Sequence, residues 1–73
     1  MDRKLLEDHL SAAVRQLAEV ERNVANQRDL VSQLERAGHD TDSATRQLEQ
    51  LVEVLAMHIA DRDRIRKELR LLE

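Results

Sequence analysis

Three histidines, His9, His39 and His58, are the first residues in this 73-residue chain that could do chemistry. A carboxylate-bridged metal bundle needs Glu-x-x-His motifs facing inward from two helices. Here the residues three before each histidine are Leu6, Arg36 and Leu55, so that motif is missing. His58 and Asp61 are spaced i,i+3 and would sit on one helix face, but two ligands do not make a metal site. A metal-binding bundle built on His58 is therefore the weakest reading. Ser11, Ser32 and Ser43 have no histidine at helical spacing, so no activated nucleophile is assembled. The single glycine cannot form a phosphate-cradling loop. With no aromatic residue there is nothing to stack on a base or a sugar, and with no cysteine there is no thiolate site or disulfide. No enzyme and no cofactor is expected.

The other chemically suggestive segment is "ADRDRIRKELR", residues 60 to 70. Arg62, Arg64, Arg66 and Arg70 could contact nucleic acid or an acidic partner. Asp61, Asp63 and Glu68 interleave, however, and nucleic-acid binders show a net basic stripe. The pairs Asp61/Arg64 and Asp63/Lys67 are spaced to form ion pairs along a helix. The whole chain carries a net charge of −3 with both signs mixed, which favours solubility over non-specific nucleic-acid binding. That regulatory binder is kept as the alternative function, and nucleic acid is not the expected partner.

The elements that must position these residues are helices. There is no Pro, one Gly, no aromatic residue and 37% charged residues, a composition of long helices or coiled coil rather than sheet. Positions 6, 10, 13, 17, 20, 24, 27, 31 and 34 alternate steps of four and three, and eight of the nine are apolar. Positions 44, 48, 51, 55, 58, 62, 65, 69 and 72 do the same with seven of nine. This is the a/d seam of a left-handed coiled coil. Gln27, His58 and Arg62 are its polar members. Polar residues at such positions set register and partner number at some cost in stability.

The two series are separated by "RAGHDTDSA", residues 36 to 44. Gly38 sits where a helix ends on a left-handed residue, and Asp40 or Thr41 is the expected N-cap of the next helix. Asp2 is the expected cap of the first. The chain thus reads as all-α, one antiparallel coiled-coil-like hairpin over residues 1–73. The first helix is expected at about 3–37, the turn at about 38–41 and the second helix at about 42–72. In the expected register, Leu34 faces Leu48, Val31 faces Leu51, Gln27 faces Leu55 and Leu17 faces Ile65, each pair with a residue-number sum of 82.

One stretch exceeds what a hairpin seam needs. In "LVEVLAMHIA", residues 51 to 60, eight of ten residues are apolar and they encircle the helix. Leu51, Leu55 and His58 belong to the seam. Val52, Val54, Met57 and Ile59 do not, and an apolar belt on a soluble helix marks an interaction surface. The first helix adds a row of small residues at seven-residue spacing, among them Ala18 and Ala25. These residues form the expected interface of a homodimer, two hairpins making a four-helix bundle. The expected function is a non-enzymatic interaction or scaffold protein, with an unidentified protein partner as the other occupant of the belt. No apolar run reaches the roughly 18 residues of a membrane span, and "MDRKLLEDHL" lacks an apolar signal core. A cytoplasmic location is the default expectation.

From "MDRKLLEDH" through "GHDT" to "HIADRDR" the chain resembles short bacterial helical-hairpin proteins of about this length, to which no activity is attached. The resemblance implies a cytoplasmic bacterial protein and carries over no catalytic or binding residue.

Overall fold

The computed structural model describes residues 2–73; Met1, the first residue of the expected hairpin, lies outside the described residues. Helix α1 spans Arg3–Arg36 and helix α2 spans Asp42–Leu71. They pack antiparallel along their length, and no strand occurs among the described residues. The hairpin is a rod of 55 × 15 × 13 Å.

Each helix end is explained by its own residues. The Asp2 carboxylate accepts the Lys4 backbone N–H at 3.4 Å, capping α1. At the other end the Gly38 N–H donates to the Glu35 carbonyl (3.1 Å) and the His39 N–H donates to the Leu34 carbonyl (2.9 Å). Those two bonds are a Schellman closure, which satisfies carbonyls that the helix itself leaves open. Gly38 has φ +74°, the left-handed region. An added Cβ there would meet nothing within 4 Å, so the glycine is required by backbone conformation and not by space. Thr41 occupies the N-cap position of α2 but makes no capping bond with its side chain. The cap is supplied one residue earlier, where the Asp40 carboxylate accepts the Asp42 N–H at 3.0 Å.

Substitution at this turn has a definite expected order. Gly38→Ala should cost about 1–2 kcal/mol, the penalty of the left-handed region for an L-residue. Gly38→Asn should cost less, because asparagine visits that region more readily. Urea unfolding of the two variants checks the order; equal midpoints for Gly38→Ala and the parent protein would exclude the strain argument.

The seam positions are the ones the packing covers. Leu6, Ala13, Leu17 and Val24 of α1 and Ala44 and Ile65 of α2 are buried. The other seam residues are half-buried, except Leu72, which is 47% exposed. The heptad pattern places Leu72 in the seam, but α2 stops at Leu71, and the facing end of α1 has no further layer to cover it.

The register differs from the expected one. Gln27 donates through Nε2 to the Ala44 carbonyl at 3.0 Å and to Gln47 Oε1 at 3.2 Å, pairs with number sums of 71 and 74. Leu6 and Ala13 cluster with Ile65, and Leu10 and Leu69 pack on that cluster. Ile65 therefore lies by the first turns of α1, and Leu17 is not its partner in the cluster. The displacement from the sum of 82 is about one heptad. The turn selects it: α1 ends at Arg36 and α2 begins at Asp42, so residues equally far from those ends sum to 78, and of the two layer sums that the heptads allow, 75 and 82, the nearer is 75. Leu34 is two residues from its end and Leu48 is six from its own, which makes them a poor level pair.

Candidate interaction surface

The three polar seam residues have different solutions to partial burial. Gln27 is satisfied inside the hairpin by Ala44 and Gln47, so its expected position beside Leu55 is replaced by one that pairs its amide. Arg62 keeps its side chain 25% exposed and curls its head outward, placing Nη2 at 3.0 Å and Nε at 3.1 Å from Asp63 Oδ1. Its aliphatic stem covers the seam while its charge stays wet. His58 is half-buried. It makes no ion pair with Asp61, whose carboxylate takes Arg64 at 3.6 Å instead. Among the described residues no group of three or more His, Asp or Glu side chains is gathered to hold a metal ion.

Two arginines of the Arg-rich segment, Arg62 and Arg64, are paired within it. Asp61–Arg64 forms as the spacing predicts. Asp63–Lys67 does not, because Arg62 holds the Asp63 carboxylate. Arg66 and Arg70 line an open depression of about 660 Å³ near the C-terminal end of α2. Asp63, Glu73 and Leu69 line it too, so the depression carries both signs and no net basic stripe. Two exposed pairs at the start of α1, Arg3–Glu7 (3.5 Å) and Lys4–Asp8 (3.6 Å), are i,i+4 contacts of the solvated kind, worth about 0.3–0.5 kcal/mol each.

The belt divides in two. Leu51, Leu55 and His58 turn into the seam and are half-buried. Val52, Val54 and Ile59 stay exposed, and Met57 is 67% exposed. Leu5, Val14 and Leu30 are exposed apolar residues of α1. In heptad letters, with Leu10 and Leu17 at a and Leu6 and Ala13 at d in α1, and Leu48 and Leu55 at a and Leu51 and Ile65 at d in α2, Val54 and Met57 fall on the g/c flank of the hairpin. Val52 and Ile59 fall on the e flank. Ala18 and Ala25, both exposed, occupy b positions beside that e flank. The structure therefore does not gather the expected interface residues on one surface: the seam divides them into two flanks.

Sequence reading did not single out Gln47 and Gln50. With Gln27, Leu51 and Val54 they line an open depression of about 300 Å³ on the g/c flank. The signal was present in the sequence, since both residues fall on the same flank of the heptad as Val54 and Met57.

No helix among the described residues is long and apolar enough to cross a membrane. No protein-family model matches this chain, and neither does any curated protein or solved structure.

Proposed function

We propose that this protein is a non-enzymatic helical interaction module that works by covering part of its apolar belt with a second copy of itself, two hairpins forming a four-helix bundle. The observation that carries the reading is the surface the hairpin leaves open. Its accessible area is 5551 Å², whereas a compact monomer of 8.5 kDa exposes about 4,700 Å². The excess, roughly 900 Å², is close to the ~800 Å² that each partner contributes to a standard protein–protein interface. No described side chain is completely buried, so the two-helix layer alone builds only a thin core. Small scaffolds of this size are commonly stapled by disulfides, metals or association. The chain has no cysteine, and no metal cluster is gathered among the described residues.

The role of such a module is display. A rigid rod presents side chains at fixed spacing, and association converts two thin seams into one thicker core. Sedimentation equilibrium at micromolar concentration tests this. The expected mass is twice 8.5 kDa, with helicity falling as the protein is diluted below its dissociation constant. A fully helical 8.5 kDa species at all concentrations would overturn the reading.

A further inference from the structure

The amide side chains distinguish the two flanks of the belt. The chain has seven Asn and Gln residues. Gln16, Asn23, Asn26 and Gln33 on α1 and Gln47 and Gln50 on α2 all fall at g or c positions of the heptad. Gln27, at d, borders the same flank and donates to Gln47 Oε1 at 3.2 Å. The e/b flank carries no amide at all. Leu30, Val54 and Met57 lie among the amides and are exposed. Around the turn-proximal half of the rod, the g/c positions are 23, 26, 30 and 33 on α1 and 47, 50, 54 and 57 on α2. None is charged, although at the chain average of 37% about three of the eight would be. The opposite flank carries Arg28 and Glu49 within the same span and Glu21 and Glu35 just beyond its ends.

We infer that a second copy of the chain docks on this amide-and-apolar flank, the same flank meeting itself across a twofold axis. This rests on the belt reading above and selects one side of it. Two features favour a second copy as the occupant. An amide is both donor and acceptor, so an amide face is complementary to a rotated copy of itself, as an isologous interface requires. The turn-proximal half of this flank, on a rod 55 Å long and 15 Å wide, also offers a footprint of about 400 Å², the core of the ~800 Å² that each partner contributes to a standard interface, with the charged distal half as its rim. The absence of charge is what an interface core shows, and Met57, the most exposed large apolar residue of the belt, supplies an adaptable apolar anchor there. Ala18 and Ala25, on the other flank, lie outside this contact.

The test compares the full chain with two double variants by sedimentation equilibrium. Val54→Lys with Met57→Lys should weaken dimerisation at least 100-fold. Val52→Lys with Ile59→Lys should change it less than about threefold. Gln50→Glu keeps a good helix former and adds like charge to the flank, so about tenfold weakening is expected from a variant that still folds. Weakening confined to the Val52/Ile59 pair, equal loss in both pairs, or no loss in either would overturn the flank assignment while leaving self-association intact. A monomeric parent protein would overturn both the flank and the belt reading. A parent protein that dimerises only through Val54 and Met57, with Gln50→Glu weakened, supports the assignment.

Discussion

Replacing Leu17 by Ala is expected to lower the unfolding free energy by about 2–4 kcal/mol, within the range for large-to-small substitutions at buried positions. Leu17 is 5% exposed in the middle of α1, and its neighbours in the seam, Ala13 and Val24, are also buried. The space a leucine leaves in the seam is bounded by the facing helix of the same hairpin, which the turn holds in register, so the lost contacts are not recovered. Leu71→Ala is the matched comparison: the same change at a residue 76% exposed should stay within about 0.5 kcal/mol, as surface substitutions do. Because the net stability of a chain this short is only several kcal/mol, Leu17→Ala should leave a measurable unfolded fraction without denaturant. Urea titration followed by circular dichroism at fixed protein concentration decides it. Similar midpoints for the two variants would mean that the seam does not carry the fold.

That comparison also shows what was legible in the sequence. The 4-3 spacing of Leu6, Ala13, Leu17 and Val24 places them on one stripe, and a stripe that apolar must be buried against another, so two packed helices follow from pattern alone. The turn was equally readable, because Gly38 is the chain's one residue that takes a left-handed φ without strain, and acids and a threonine follow it. Register was not readable from the stripe. A heptad pattern repeats every seven residues, so sliding one helix by seven replaces every apolar contact with another apolar contact. What distinguishes the registers is the length of the turn and the few polar seam positions, and those depend on three-dimensional detail. The cap of α2 shows the same limit: Asp40 and Thr41 are both suitable residues, and only the backbone path gives the bond to Asp40 while leaving Thr41 without one.

The candidate interaction surface was legible in part, for a related reason. Composition picks out residues 51 to 60 because they are apolar all round, yet the two flanks of a hairpin are separated by its seam. Val54 and Met57 lie on one flank, and Val52, Ile59, Ala18 and Ala25 on the other. Once α1 is packed on α2, Val54 sits beside Gln47 and Gln50, and the polar residues around each apolar one become informative. Amides next to apolar residues can be buried against a matching surface at little cost if their hydrogen bonds are made. Lone carboxylates cannot, which makes the flank with Glu21 and Glu49 the poorer candidate for burial.

Gln27→Leu is expected to raise seam hydrophobicity and yet to loosen the hairpin's register. In the observed register the Gln27 amide donates to the Ala44 carbonyl and to Gln47. Slid by one heptad, it would lie beside Leu55 with neither partner. Leaving a partly buried amide unsatisfied costs about 1–3 kcal/mol, which makes the slid register roughly 5- to 150-fold rarer through this residue alone. A leucine side chain removes that penalty and finds apolar neighbours in both registers. The chain has no cysteine, so Arg15→Cys and Arg46→Cys provide two label sites on exposed positions. Sliding by seven residues moves the labels about 10 Å along the rod relative to each other at 1.5 Å per residue. Arg15 and Arg46 are already offset along the rod, and the slide toward the sum of 82 increases that offset, so the slid register has the longer distance. With the labelled chain diluted in unlabelled copies, spin-label distances should show one narrow population in the parent sequence. The Gln27→Leu protein should add a second, longer one. A single unchanged distance in both proteins would move the register determinant from Gln27 to the turn between Arg36 and Asp42, whose closure by Gly38 and Asp40 is the other element that holds the two helices at fixed levels.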